Sequence, residues 1–476
     1  MINVSTKIHD KFSIEFKVGF FGQDNGNVND FAVNAWIFVP NSLDINPATY
    51  GKESFYRDVK SNVRLITPDF SLAEITQGEA LPYHNLRRSF QTLPALTEYE
   101  FQVKLFAAIF RSSLRESFLQ LQQNATPIQV KETVEHIRHT LAHYRALEEQ
   151  LFENATLGRA ASIFHYADEY MSQLATVQAI KLLRQLQDSE NPSHEDSCKP
   201  LVALIQEEYH YKKSLGYTSI LEDNQRQNRD HLARHSLLRK YIDSSLYLKK
   251  ETTEDGTTAQ QLSFGMAAGI AMLISMLIAL PFQKYLGNYP TLIFIVLVVA
   301  YMFKDRIKEW FRKRFAYRLK SKYYDNKTTI HFKDENIGWI KESVDFINDA
   351  KTPPNVLALR NRTDLESDNT LLQEKTILYR KKVHIDSRHM NDHYEYKFPG
   401  INDIQRLYFH HFTLKMDDPE TLTDTLDDNG CLHTTATLRV YNLHIVMQFA
   451  YDKQTEYRAF RIALTRDGIV SIDEKR

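Results

Sequence analysis

The feature that most constrains this chain is a run of twenty residues without a charged side chain. The run reads SFGMAAGIAMLISMLIALPF and extends from Ser263 to Phe282. A helix of about 20 residues covers about 30 Å, which is the thickness of the hydrocarbon layer of a bilayer. Because the run lies in the middle of the chain, it is not a cleaved signal peptide. It predicts a membrane-spanning helix, and the alternative is a buried helix of a soluble domain.

A second apolar run follows after a short link. It reads YPTLIFIVLVVAYMF, extends from Tyr289 to Phe303 and also lacks charged residues. The chain as a whole is polar, with a mean hydropathy of -0.43, so these two runs stand out. They predict a two-helix transmembrane hairpin with spans at 263–282 and 289–303, and the chain enters it through a polar linker that begins at residue 252.

The distribution of cations predicts the orientation of this hairpin. Nine Lys and Arg residues lie between Lys304 and Lys322, whereas the link between the two runs contains only Lys284. Lys and Arg near a span are retained preferentially on the cytoplasmic side. We therefore expect a multi-pass protein of the cytoplasmic or inner membrane, with both termini cytosolic.

The segment 304–325 is expected to continue the second helix as a basic amphipathic juxtamembrane helix. Its apolar residues recur at roughly helical spacing among the cations, and basic residues at a membrane surface attract anionic lipid headgroups. The alternative is an ordinary positive-inside flank without lipid specificity. The residues expected to contact headgroups are Lys308, Trp310, Arg312, Lys313, Arg314 and Arg318.

Small residues in the first apolar run predict close helix packing. Gly265 and Gly269 are four residues apart, with Ala268 beside them. Such spacing lets the backbone of another helix approach closely within a membrane. The partner helix is either the second span or the first span of another copy, so a homodimer is one expectation.

The region 1–95 is expected to form a β-rich cytosolic domain. Lys11–Phe21 and Asp30–Val39 are rich in aromatic and β-branched residues, and Asn25 with Gly26 supplies a tight turn between them. Asn62–Thr67 and Ser71–Ile75 are predicted to be further extended segments.

The region 96–251 is expected to form a helical bundle. Its apolar residues recur with helical periodicity, and Pro127, Gly158, Pro192 and Gly216 mark the breaks. The predicted helices are Glu98–Gln123, Ile128–Phe152, Arg159–Asp188, Pro200–Leu215 and Ser219–Lys250.

The region 326–476 is expected to be a mixed α+β cytosolic domain. Asp334–Ala350 is predicted to be a helix, and the end of the chain is predicted to be a β meander with a turn at Asp467 and Gly468. The four predicted meander strands are Cys431–Tyr441, Leu443–Tyr451, Glu456–Thr465 and Ile469–Ile472. The whole chain is therefore predicted to be a multidomain α+β membrane protein.

The sequence contains few signs of catalysis. It has no phosphate loop, no dinucleotide fingerprint and no zinc-protease helix, and no cofactor is expected. Its two cysteines, Cys198 and Cys431, exclude a disulfide scaffold and fit a reducing compartment. One histidine-rich helix has metal-like spacing, and the alternative is a solvated polar face. The candidate metal ligands are His136, His139, His143, Glu207 and His210.

Charge and composition restrict the expected partners. The net charge of -1 gives no support to nucleic-acid binding. The expected partners are the lipid bilayer, anionic headgroups, an unidentified cytosolic protein and a second copy of the chain. The predicted function is a membrane-anchored scaffold or sensor. A membrane-tethered metal-dependent enzyme and a ligand-triggered membrane-disrupting effector are the alternatives.

Overall fold

The computed structural model is an α+β protein with a β-rich N-terminal region, a set of packed helices and a C-terminal region rich in strands. The structure describes most of the chain. The described part comprises residues 2–22, 28–76, 81–91, 96–123, 125–152, 158–188, 195–220, 224–285, 290–362, 374–386, 396–427, 430–452 and 454–475.

The described residues of the N-terminal region form four strands and two short helices. The strands predicted at Lys11–Phe21 and Asp30–Val39 are present, whereas the turn predicted at Asn25 and Gly26 lies outside the described residues. Ser71–Ile75 is a turn and not a strand, because Ser71 and Glu74 bond to each other's backbone amides. The elements are β1 (Ile2–Asp10), β2 (Ser13–Phe21), β3 (Val28–Val39), α1 (Lys52–Asp58), β4 (Val59–Leu65) and α2 (Leu81–Gln91).

The helices of the central region form the predicted bundle. A buried polar network joins three of them: Arg145 donates to Asp168 at 2.9 Å and to both carboxylate oxygens of Glu208 at 3.0 and 2.8 Å. Tyr211 also donates to Asp168, at 2.9 Å. The elements are α3 (Leu96–Gln123), α4 (Pro127–Ala146), α5 (Glu149–Phe152), α6 (Gly158–Asp188), α7 (Glu195–Ser214) and α8 (Gln225–Asp243).

The last predicted bundle helix ends earlier than expected. The chain leaves α8 through a 3-10 turn at Ser244–Leu246 and then forms a strand, β5 (Lys249–Glu254). The predicted linker at residue 252 therefore begins inside a strand. The reason is pairing across a long sequence separation: β5 is antiparallel to β6 (Asn326–Phe332), with Lys249 opposite His331 and Glu254 opposite Asn326.

Two long helices lie between these paired strands. They are α9 (Thr257–Tyr285) and α10 (Pro290–Lys322). Among the described residues, one helical stretch, Thr257–Pro281, is long and apolar enough to cross a membrane. The apolar part of α10 ends at Phe303 and covers about 21 Å, which is shorter than a hydrocarbon layer of about 30 Å. A membrane helix is thus supported by length and composition, and the second span stays a prediction.

One segment of the C-terminal region has a different secondary structure from the one predicted. The segment predicted as a helix, Asp334–Ala350, is a strand, β7 (Glu335–Ile347), between β6 and β8 (Lys375–Asp386). A bulge opposite Ile330 and His331 shifts the alternation, so that buried Ile337, Ile340 and Val344 fall at helix-like spacing.

The remaining elements complete the sheets. The predicted meander is confirmed for its last three strands, which are joined antiparallel with a turn at Asp467 and Gly468. Its first predicted strand, Cys431–Tyr441, instead pairs back on the preceding segment in an exposed two-stranded ribbon. The elements are α11 (Pro354–Arg360), β9 (Gly400–Tyr408), α12 (His410–Thr413), β10 (Glu420–Leu426), β11 (Leu432–Leu438), β12 (Tyr441–Tyr451), β13 (Gln454–Thr465) and β14 (Gly468–Lys475).

Strands from the two ends of the chain share both large sheets. The described strands form an eight-stranded sheet in the order β14-β13-β12-β3-β8-β7-β6-β5 and a four-stranded sheet in the order β1-β2-β9-β4. The sheets face each other, with Phe16 against Phe460 and Phe20 against Phe31 at ring distances of 5.6 and 5.2 Å. The regions 1–95 and 326–476 are therefore interleaved in one β sandwich.

Candidate functional site

A cavity of about 460 Å³ lies between the four-stranded sheet and the helical bundle. Its walls come from β1, β2, β4 and β9 on one side and from α3, α6 and α8 on the other. This volume is in the range of sites that bind small molecules, about 300–1,000 Å³. The cavity is the candidate functional site of the protein.

The alternation of β2 explains how polar side chains reach this cavity. Ile14, Phe16 and Val18 are buried in the core of the sandwich. Successive side chains of a strand point to opposite faces, so Lys17 and Gly19 line the cavity instead. The helices cover the outer face of the four-stranded sheet, and this face forms one wall of the cavity.

The cavity is strongly basic. None of the described residues that line it carries a carboxyl group. Cations gathered in a concave site raise the local concentration of anions. Six Lys and Arg side chains line it: Lys17, Arg64, Arg111, Arg115, Lys181 and Arg239.

Lys17 is the cation most affected by its surroundings. Burial, followed by the charges of Arg64, Arg115 and Arg111, lowers the pKa of Lys17 to about 8. Crowded cations repel one another and disfavour the protonated ammonium. An anion bound here would relieve that repulsion.

One internal carboxylate compensates part of this charge. Arg111 donates to Asp243, and the Arg64 Nη1 and Arg239 Nε atoms lie 3.5 and 3.9 Å from the same carboxylate. Arg111 also donates to the hydroxyl of Tyr170 at 3.2 Å. Three cavity arginines thus share a single anion.

The other three cations lack such compensation. Among the described residues, no Asp or Glu side chain forms a salt bridge with Lys17, Arg115 or Lys181. Arg115 and Lys181 are also exposed at the mouth of the cavity. These three side chains are therefore available to a ligand.

One wall of the cavity is aromatic. The rings of Tyr170 and His235 are nearly parallel, with a centroid distance of 6.1 Å. Burial, followed by the charges of His231 and Arg239, lowers the pKa of His235, so its imidazole is neutral at pH 7. The Nδ1 atom of His235 lies 2.7 Å from Oε1 of Gln173, to which the neutral ring donates.

Sequence reasoning missed this site because no local pattern marks it. Its lining residues extend from Asn3 to Asn402 along the chain. The cations are spread over three helices and two strands and are balanced by acidic residues elsewhere, so the net charge of -1 conceals them. Only the position of Lys17, a cation within the apolar strand β2, gives a local sign of the site.

The predicted metal ligands have other neighbours in the structure. Glu207 accepts two hydrogen bonds from Arg138 at 2.8 Å each, and His139 contacts the hydroxyl of Thr76 at 2.9 Å. The rings of His139 and His143 are 3.9 Å apart. In the described part of the chain, no three His, Cys, Asp or Glu side chains are arranged to hold a metal ion. His136 lines a different surface pocket, and His210 is exposed beside Tyr209.

The three residues predicted to pack α9 on another helix, Gly265, Ala268 and Gly269, lie outside the face of α9 that is buried most deeply. Ala267 and Ala271 are fully buried, and Ser275 donates to the carbonyl of Ala300 at 3.4 Å, so this face packs on α10. Gly265 and Gly269 are exposed, and no neighbouring described atom lies within 4 Å of the position that a Cβ would occupy at either residue. Ala268 is half-buried between the two faces.

The predicted headgroup residues lie on the part of α10 that follows its apolar stretch. Trp310 is exposed, as are Lys313, Arg314 and Arg318, whereas Lys308 is half-buried. The guanidinium of Arg312 lies 4.5 Å from the ring centroid of Phe264 on α9. This part of α10 therefore runs beside the first apolar turns of α9.

No family profile, curated protein or solved structure matches this chain. The chemistry of the cavity is consequently the basis for assigning a function.

Proposed function

We propose that this chain is a membrane-anchored sensor that binds a compact anionic ligand in the basic cavity. The observation that carries the proposal is the set of six cations around a volume of about 460 Å³, with no carboxylate among its described lining residues. Cations gathered around one concave volume repel one another, and a bound anion relieves that repulsion. This makes the predicted sensor preferable to a passive scaffold.

The arrangement of donors indicates the class of ligand. Arginine forms paired hydrogen bonds with phosphate and carboxylate oxygens, and lysine binds phosphate as a point charge. Lys17, Arg115 and Lys181 offer three such charges in addition to those shared with Asp243. A ligand with two or more phosphate-like groups satisfies them best, and the Tyr170–His235 wall accommodates a planar group.

The membrane anchor is the α9–α10 helix pair. We propose that both helices enter the bilayer, with the regions before β5 and after β6 on the cytosolic side. The length and apolar composition of α9 support the first part, and the nine cations after Phe303 support the orientation. The exposed Trp310 and its basic neighbours then lie at the level of anionic headgroups.

The exposed glycine face supports self-association. Because α10 packs on Ala267 and Ala271, Gly265 and Gly269 remain accessible to a helix of a second copy. Replacing both glycines by Leu should abolish crosslinked dimers of the full chain in membranes, and unchanged dimers would exclude this face as the contact.

Binding of inorganic pyrophosphate tests the sensor proposal. The detergent-solubilised full chain should bind it, and the double variant R115Q/K181Q should bind about tenfold more weakly or worse, because two charge-assisted contacts are lost. K131Q/R184Q removes the same charge from two residues outside the cavity lining and should leave the affinity unchanged. Equal losses in both variants, or no binding to the wild type, would refute the proposal.

One observation favours a second candidate, the membrane-disrupting effector. The Phe264–Arg312 contact places the charged part of α10 beside the apolar start of α9. If α9 crosses the bilayer over its full apolar run, cations of α10 lie at hydrocarbon depth and must face water in an assembly. Dye release from vesicles that contain the protein, triggered by pyrophosphate, would support this candidate, and retention of dye would exclude it.

A further inference from the structure

The cavity is connected to the membrane helices by a short stretch of chain. Asp243 is the last residue of α8, and α9 begins fourteen residues later, at Thr257. Between them lie the 3-10 turn Ser244–Leu246 and the strand β5. We call residues 243–254 the connector. A displacement of Asp243 therefore occurs only fourteen residues before the base of the helix pair.

Asp243 does not line the cavity, but its carboxylate pairs with arginines that do. The side chain of Asp243 is only 7% exposed. Its carboxylate accepts a hydrogen bond from Arg111 and lies near the guanidinium groups of Arg64 and Arg239. All three arginines line the cavity. An anionic ligand therefore needs the same guanidinium groups that Asp243 already uses. Two anions that need the same cations compete for them.

The connector also contacts the cavity wall directly. Arg64 and Tyr247 form an antiparallel backbone bridge, and Lys250 Nζ donates to the carbonyl oxygen of Ser61 at 2.5 Å. Arg64 and Ser61 both belong to β4. The strand that supplies a cavity arginine is therefore the strand against which the connector rests.

The base of the helix pair is held to the eight-stranded sheet, to which β5 also belongs. The carboxylate of Asp255 forms a salt bridge with Lys341 Nζ at 3.0 Å and accepts a hydrogen bond from the backbone amide of Tyr324 at 3.2 Å. Gly256 adopts a φ of 78°, and a Cβ there would lie 2.6 Å from the ring of Tyr323. This packing ties the start of α9 to the end of α10, so a displacement of β5 moves both helices together.

We propose that Asp243 is a built-in competitor for the ligand, and that ligand binding is signalled to the membrane helices by its release. This inference rests on the proposed anion-binding function. A bound anion takes Arg64 and Arg111 from Asp243, and the connector loses the ion pairs that hold it at the cavity wall. Ligand occupancy then loosens the connector, and by linkage a loosened connector binds the ligand more tightly.

Asp243→Asn tests the competition. The variant should bind pyrophosphate about tenfold more tightly than the wild type, because the ligand no longer displaces a carboxylate, a coupling of the usual size for linked sites. Asp230→Asn is the matched control, since Asp230 is exposed on the same helix and does not line the cavity. It removes the same charge and should leave the affinity unchanged.

Hydrogen–deuterium exchange of the wild type tests the signal without any substitution. Pyrophosphate should increase amide exchange in residues 244–254 while exchange in α3 stays the same or slows. In D243N, exchange of residues 244–254 should be high before ligand is added.

The outcomes separate the two proposals. If pyrophosphate binds the wild type but D243N binds it equally or more weakly, or if exchange in residues 244–254 does not change, the competitor proposal is wrong and the sensor proposal stands. If neither protein binds pyrophosphate, the sensor proposal itself is overturned.

Discussion

Proton uptake on anion binding is the sharpest test of the electrostatics of the cavity. Burial and three neighbouring arginines lower the pKa of Lys17 to about 8, from its ordinary value of 10.5. At pH 8, about half of the free molecules therefore hold a proton on Lys17. An opposite charge within about 4–6 Å raises such a pKa by about 1–3 units, so nearly all complexes hold that proton. Binding at pH 8 should take up about 0.5 proton per site.

The pH dependence of this uptake has a definite sign. At pH 7 the free ammonium is about 90% protonated and uptake falls to about 0.1 proton, whereas at pH 9 it rises to about 0.8 proton if the shift is about 2 units. Sulfate is a suitable titrant because its charge is constant over this range. The slope of the calorimetric binding enthalpy against the ionisation enthalpy of the buffer measures the uptake.

Substitution of the lysine assigns the proton. Lys17→Met should abolish the uptake at pH 8 and weaken sulfate binding, and Lys17→Arg should retain binding without the uptake because arginine stays protonated. The same uptake in K17M, or none in the wild type, would refute this account of the cavity.

The lowered pKa of Lys17 also affects stability, because between pH 8 and 10.5 this lysine holds more protons in the unfolded chain than in the folded protein. The contribution of Lys17 to the stability of the free protein should therefore increase as the pH rises through this range.

Three further predictions concern stability and packing. Arg145→Met should lower the free energy of unfolding by about 3–5 kcal/mol, because it leaves the buried carboxylates of Asp168 and Glu208 without a cation. Arg138→Met, which breaks an exposed ion pair, should lower it by about 1 kcal/mol or less. Chemical denaturation measures both values. Gly256→Ala should lower the melting temperature, because its φ is positive and its Cβ would meet Tyr323; an unchanged melting temperature would contradict the packing at the base of α9. Replacing buried Ala267 and Ala271 by Leu should separate α9 from α10, because each larger side chain destabilises the packing by about 1–3 kcal/mol. A disulfide designed between the two helices should then fail to form.

Much of the local structure could be predicted from the sequence, because it depends on local patterns. The alternation and β-branched content of β2 and β3 predict strands, and the long periodic runs of α3, α4 and α6 predict helices. The charge-free run on α9 predicts a membrane helix from its length and its apolar composition. These features follow from backbone preference and from which side chains avoid water.

Other features required the tertiary structure, because they depend on pairing between distant segments. β7 has apolar residues at helix-like spacing, and it is a strand because β6 and β8 bond to both its edges around a bulge. β3 lies between β8 and β12, more than 300 residues later in the chain, which no local pattern specifies.

The candidate site belongs entirely to this second class. Lys17, Arg64 and Arg111 come from two strands that do not pair with each other and from a helix, and no sequence motif links the three residues. The sheet and the bundle bring these cations together around one volume. Their mutual repulsion and loss of water, which make the site attract anions, exist only once the chain has folded.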